Sequence, residues 1–379
     1  MKKILLSAVV IAATVLSLSG CKNHQTPITD TTKLWPAYDA NTEKFGYIDQ
    51  NGKFKIPAIY DEASNFFSCG YAVVSMGETQ CFIDKKGNMK HSIQKGELNP
   101  FYYNYATIYE NGKYGLLDKN FKYSIYTIYD VMGTMSADGL IVGQVAGSNL
   151  LGFYDAKGNN KISPLYKSAQ DFFDGHAAVT MDGDKWGLID KAGKFTVQPT
   201  YDRMRTLGAG RWGAYSDASN GYSLIDAKGT IKGFFKYIYS SYDNEPLFTV
   251  ENDQGKYGVI DKDGKQLIPY QYDDIDDFCE GICAAYNENN ESETMLLIDK
   301  KGNVLYSESD AEADTPMHNG LILVVKYDSK TGKETYKWMD IKGKIVYTWT
   351  DGDKYKAPAR APKADKKNDI TPEPFFILK

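Results

Sequence analysis

The chain is 379 residues long and sets 44 Lys and Arg against 49 Asp and Glu, a formal net charge of −5. That balance provides no basic face of the kind nucleic-acid binding requires. Its 29 tyrosines suit strands more than helices, and a chain this long divides into domains unless it is built as a repeat array.

The N-terminus reads as an address. Lys2 and Lys3 precede an apolar run from Ile4 to Leu18 that is too short for a stable membrane span, so residues 1–20 are expected to be a signal peptide. The run ends in Leu18-Ser19-Gly20-Cys21, which resembles the bacterial lipobox. The resemblance implies cleavage before Cys21 and lipidation of that cysteine; the alternative is an ordinary secretory signal with a coincidental Cys. Acyl chains on Cys21 would anchor the protein without a transmembrane helix. Residues 21–34 are polar and read as a tether. The tether has no acidic stretch of the type seen in surface-export signals of Bacteroidetes-type lipoproteins. The expected location is therefore the cell envelope, at the outer membrane and facing the periplasm, with surface exposure left open.

From residue 35 to residue 350 one phrase returns nine times: an aromatic or apolar residue, Gly or a substitute, two apolar residues, Asp, two variable residues and Gly. Clear copies are Phe45-Gly46-Tyr47-Ile48-Asp49 with Gly52, Trp186-Gly187-Leu188-Ile189-Asp190 with Gly193, and Tyr257-Gly258-Val259-Ile260-Asp261 with Gly264. The nine aspartates are Asp49, Asp84, Asp118, Asp155, Asp190, Asp226, Asp261, Asp299 and Asp340, and they number the units one to nine. Such a period marks a repeat architecture, in which a unit buries its apolar face only against its neighbours.

Within a unit, Ala177–Thr180 and Lys185–Ile189 read as a hairpin around an Asp-Gly turn. Asp190 and Gly193 occupy the first and fourth positions of a type I turn. A third strand, Lys194–Val197, stops at Pro199. Eleven residues after the Asp stands a Tyr in six units (Tyr60, Tyr129, Tyr166, Tyr201, Tyr237, Tyr272), read as a core aromatic. Twenty or twenty-one residues after it stands a turn Gly (Gly70, Gly139, Gly175, Gly210, Gly281, Gly320). The glycine of the aromatic-Gly pair is expected to let the ring of a neighbouring strand lie over bare backbone.

The phrase, followed by Ile56-Pro57-Ala58-Ile59-Tyr60-Asp61, Val197-Gln198-Pro199-Thr200-Tyr201-Asp202 or Ile268-Pro269-Tyr270-Gln271-Tyr272-Asp273, resembles the WG-containing β repeat of bacteria. Cys81, Ser223, Leu296 and Lys337 replace the Gly in units two, six, eight and nine, and Phe121 replaces the turn Gly in unit three. The resemblance implies tandem β units in exported or lipid-anchored proteins, used as interaction surfaces, with no shared catalytic residues.

The aspartates are tempting as a cation ladder, but each sits where a turn wants Asp, and calcium needs several oxygens converging on one ion. The run Asp273-Asp274-Ile275-Asp276-Asp277 with Glu280 reads as a solvated loop, or as a site for a cation or a basic partner. Arg203, Arg205, Arg211 and Trp212 form the least ordinary constellation. They hold three of the chain's four arginines, and could meet a carboxylate or phosphate with a stacking face alongside, or pair with nearby aspartates. Cys69, Cys81, Cys279 and Cys283 are either disulfide partners or small buried thiols. The four histidines lie too far apart in sequence to suggest a zinc site. The chain has no Gly-x-Ser-x-Gly elbow and no phosphate loop. Residues 351–379 form a Lys/Ala/Pro-rich tail with an apolar end, Phe375-Phe376-Ile377-Leu378.

The expected fold is all-β, a tandem array of about nine three-stranded antiparallel units, either β-propeller-like or an open β superhelix. The expected function is a non-enzymatic, lipid-anchored binding or scaffold protein. It would need no cofactor and no metal and would bind no nucleic acid; its partners would be the membrane and a protein or cell-wall glycan. The alternatives are a glycan- or peptidoglycan-binding module using its aromatic residues and Arg203 to Trp212, or a hydrolase.

Overall fold

Unit five shows how the phrase folds. In the computed structural model, which describes residues 33–239, 246–288, 293–328 and 330–350, the strands Ser168–Ala169, His176–Thr180, Trp186–Asp190 and Phe195–Tyr201 form one antiparallel meander. The expected three strands are all there, but the third runs through Pro199 as far as Tyr201 instead of stopping at the proline. The connecting loop adds a short strand at the start of each following sheet, only two residues long in Glu62–Ala63, Ser168–Ala169, Tyr237–Ile238 and Asp274–Ile275. Described sheets therefore hold three or four strands, apart from one of seven. That sheet is units three and four joined. The ten-residue strand Tyr123–Met132 pairs through Tyr123 and Ile125 with unit three, and through Val131 and Met132 with unit four.

Wherever the Gly of the phrase survives, behind an aromatic residue or, in unit four, behind Leu151, the outer strand shifts register beside it. In unit seven Tyr257 faces Tyr272 while Val259 faces Ile268. Units one, three, four and five repeat this irregularity. The shift pushes outer-strand backbone onto the glycine. A Cβ on Gly187 would stand 2.5 Å from the Val197 carbonyl oxygen and 2.9 Å from the Pro199 nitrogen, and one on Gly258 would stand 2.7 Å from the Ile268 oxygen. The glycine thus accommodates the backbone of its own sheet, not an aromatic ring from a neighbour as the sequence suggested. Where Cys81, Ser223, Leu296 or Lys337 stands instead, pairing runs straight past that position. The marker Tyr follows the shift: Tyr60, Tyr129, Tyr166 and Tyr272 are buried where the displaced strand turns inward.

Nine apolar clusters lie between the units, one at each junction. The cluster of Ala178, Trp186, Leu188, Val197, Met204, Trp212, Ala214 and Ile225 joins units five and six. An open row of nine units has eight junctions. The ninth cluster, with Trp35, Ala37, Tyr38 and Ile48 on one side and Leu323, Tyr336, Trp338 and Trp349 on the other, joins unit nine to unit one. Two indole N–H groups cross that seam, Trp35 Nε1 to the His318 carbonyl and Trp338 Nε1 to the Pro36 carbonyl, both at 2.7 Å. The seam also repeats the geometry of an internal junction. The turn glycine Gly264 lies against the Lys232 carbonyl of unit six, and Gly52 lies against the Val346 carbonyl at the equivalent place in unit nine. The nine units therefore close into a propeller-like ring, which decides between the two architectures left open by the sequence.

Candidate functional site

The recurring aspartates are turn residues. In all nine units the Asp Oδ1 accepts the backbone N–H groups two and four residues on; in unit two these are Lys86 and Asn88, each at 2.9 Å. The others run from Asp49 with Asn51 and Lys53 to Asp340 with Lys342 and Lys344. Partial burial raises the pKa of Asp84 and Asp155, but hydrogen bonds from Asn88 and Lys90, and from Asn159 and Lys157, outweigh it and hold both carboxyls at about 2.

A second polar device was not legible as one. The lysine before the aromatic-Gly pair meets the aspartate that follows the marker Tyr, seventeen residues on: Lys44 with Asp61, Lys113 with Asp130, Lys185 with Asp202, and Lys256 with Asp273. The other oxygen of Asp61, Asp202 and Asp273 accepts a backbone N–H from the next unit's hairpin, of Gly77, Asp217 and Glu288 respectively. Each aspartate therefore ties its own unit to its successor. The sequence signal was the Lys-to-Asp spacing, which becomes visible only when the lysine is counted as part of the phrase.

The acidic run disperses on the same logic. Asp273 joins a clamp, Asp274 accepts the Ile275 N–H at 2.8 Å, and Asp276 accepts the Tyr286 hydroxyl at 2.8 Å. Glu280 caps the Asn319 and Gly320 N–H groups of unit nine at 2.8 and 2.9 Å. Asp138 does the same for Gly175 of unit five at 2.9 Å.

The arginine constellation opens unit six, because the loop after unit five's outer strand is the first strand of the next sheet, Arg203–Gly208. Its members do not converge. Arg203 stacks over Tyr215 at 4.3 Å, with Asp217 3.7 Å from its guanidinium. Arg205 lies over Tyr222 at 5.2 Å. Arg211 reaches unit seven, donating to the Lys262 carbonyl at 2.7 Å and to Asp263 at 3.0 Å. Trp212 is fully buried in the five–six cluster, so its ring offers no stacking face to a ligand. Cys21 lies outside the described residues, as do the signal peptide, nearly all of the tether, and the tail.

The four described cysteines remain thiols. Cys279 packs into the eight–nine cluster and Cys283 into the seven–eight cluster, so the two point into different junctions. His91 packs against Phe121 with nearly parallel rings, and His176 lies edge-on to Trp212.

Two features depart from the repeat. One is an open concavity of about 640 Å³ where units two and three meet, lined by Glu62, Glu78, Gln80, Lys95, Glu97 and Tyr109 among others. The other is Asp171, at the junction of units four and five, which accepts the Thr134 N–H at 3.0 Å and the Thr134 hydroxyl at 2.7 Å. Burial drives its carboxyl up to about 6 against those bonds.

Two opposite pH dependences follow. Asp84 and Asp155 have depressed folded pKa values, so their stabilisation is complete above the unfolded value of about 4 and is lost as pH falls towards about 2. Asp171 has a raised folded value. Its contribution is complete below about 4 and is lost as pH rises through about 6, a change of about 3 kcal/mol. In urea titrations, Asp171→Asn should therefore gain on the native chain between pH 4 and pH 7 by that order, whatever its offset at pH 4. Parallel curves for the two proteins would contradict the assignment.

Against known proteins, a family model described as the WG containing repeat matches residues 45–79, 152–184, 186–207 and 257–291. Each match begins at or within the pair of an aromatic or apolar residue with Gly (Phe45-Gly46, Leu151-Gly152, Trp186-Gly187, Tyr257-Gly258), in a unit that also has the turn Gly and an outer-strand Pro. No curated protein matches the chain. Among solved structures, one described as a eukaryotic initiation factor is similar at TM-score 0.61 and 11% identity, over 84% of this chain and 96% of that one. Hsv2 of Kluyveromyces lactis has a TM-score of 0.36 at 8% identity, covering 72% and 94%. A quinonprotein alcohol dehydrogenase-like protein of Bacteroides thetaiotaomicron has 0.33 at 10%, covering 85% and 76%. The first shows a shared fold alone, and the other two superpose too loosely to support an argument.

Proposed function

We propose that the chain is a non-catalytic binding or scaffold module, a WG-type β-repeat ring held to the bacterial envelope by lipid on Cys21 and facing the periplasm. The observation that carries this reading is the fate of the recurring polar groups. Nine aspartates are spent on turns, and four Lys–Asp pairs on clamps that link units. What remains for a partner is the surface where units differ, presented on a closed and rigid frame. The lipobox-like Leu18-Ser19-Gly20-Cys21 supplies the anchor.

In-cell crosslinking with the anchor intact, set beside a Cys21→Ser form, tests the reading. The intact chain should label with an alkyne fatty acid, fractionate with membranes and crosslink reproducibly to one envelope component. Cys21→Ser should lose the label and the membrane association. A labelled, membrane-bound chain with no specific partner would count against the scaffold role, and an unlabelled native chain against the anchor.

A further inference from the structure

We propose that the outer strand of unit three carries a carbohydrate-binding platform, formed by Tyr126, Tyr123 and Glu110, that takes a neutral pyranose chain. The inference rests on the reading of the protein as a non-catalytic binding module, and supplies that reading with a place and a ligand class.

Tyr126 is 72% exposed, the most exposed large hydrophobic residue described. It is not loose. Its ring stacks on Tyr123 with centroids 5.5 Å apart and planes 12° from parallel. The Tyr123 hydroxyl donates to Glu110 Oε2 at 2.8 Å. Burial and the Glu110 hydrogen bond push the Tyr123 phenol up to about 12, so it stays a neutral donor at physiological pH and the stack keeps its geometry. Ile128, two residues on and also exposed, extends the apolar strip along the strand.

The repeat does not require this arrangement. Eight residues after the turn aspartate, where Tyr126 stands, the other units have Pro57, Ser92, Ser163, Gln198, Phe234, Pro269, Ser307 and Thr348. A tyrosine there serves no turn, clamp or junction found in its neighbours. Unit three is also the unit in which Phe121 replaces the turn glycine, taking a positive φ of 59°.

The chemistry selects the ligand. A flat aromatic face held in one orientation presents a large contact area at small entropic cost. Pyranose rings offer a matching face of C–H groups with hydroxyls around the rim. Glu110 supplies an acceptor at the platform's edge, because Tyr123 occupies Oε2 and Oε1 forms no hydrogen bond among the described residues. The same carboxylate disfavours an anionic sugar, and a net charge of −5 disfavours nucleic acid stacking.

Isothermal titration and saturation-transfer NMR of the full chain with chitohexaose and maltohexaose, and with a proline-rich decapeptide in parallel, test the proposal. At least one glycan should bind. Tyr126→Ala should weaken it about 10-fold or more, while Tyr126→Phe stays within about 2-fold of native. Glu110→Gln, which keeps a hydrogen-bonding carbonyl, should fall between them. Unchanged thermal midpoints for the Tyr126 variants would show that the fold is intact. The platform is overturned if neither glycan binds, if Tyr126→Ala binds as well as native, or if only the peptide binds. Shortened glycan products would refute the non-catalytic reading and leave the platform standing; a crosslinked protein partner with no glycan binding would do the reverse.

Discussion

Gly187→Ala should destabilise the ring by about 3 kcal/mol, the upper part of the range for overpacking a tight site. The added methyl would stand 2.5 Å from the Val197 carbonyl oxygen, 2.9 Å from the Pro199 nitrogen and 3.0 Å from the Gln198 carbonyl carbon. All three are backbone atoms of a paired strand, so no side chain can rotate aside. Relief requires removing the register shift between Trp186 and Leu188, which would displace Tyr201 and Val197 from the five–six junction. Ser223→Ala is the matched control. It occupies the same position in unit six, where the ladder runs straight and a side chain is already present, and its cost should stay within about 0.5 kcal/mol. Urea unfolding of the two variants is the measurement. Similar losses would mean that the glycine does not serve the approach of the outer strand.

That pairing also shows what the sequence could and could not reveal. Turn chemistry was legible because it is local: Asp190 reaches only as far as Lys194, and every unit repeats the same few residues. The role of the neighbouring glycine was not legible, because it depends on a register shift in a strand ten residues away. The Arg203-to-Trp212 segment looked like a site because its residue types are rare in this chain. Strand alternation then placed Trp212 in the core, and Arg211 found its acceptors about fifty residues away in unit seven. The number of units could be counted from the sequence, but closure could not, since it rests on contacts between residues some 300 positions apart. Tyr126 went unremarked among 29 tyrosines. Only its exposure and its stack on Tyr123 separate it from the marker tyrosines, of which Tyr60, Tyr129, Tyr166 and Tyr272 are buried and Tyr201 and Tyr237 half-buried.

Closure itself carries the other large prediction. Trp338 is fully buried at the seam, and its indole N–H holds the Pro36 carbonyl across 302 residues of chain. Trp338→Ala should cost about 3–5 kcal/mol in lost burial and cavity. The more specific variant is Trp338→Phe, which keeps an aromatic ring but leaves the Pro36 carbonyl without its donor; about 1–3 kcal/mol is expected. Trp212→Phe is the counterpart inside the array. That indole is equally buried, but its N–H has no acceptor among the described residues, so replacing it removes an unpaired donor and should cost clearly less. Hydrogen exchange separates a seam from a general core effect. In Trp338→Ala the amides of units one and nine should exchange faster while those of unit five keep their protection, because a ring opened at one junction still has eight. Equal losses for the two Phe variants, or uniform acceleration around the ring, would mean that the unit nine to unit one contact is not where the ring is held shut.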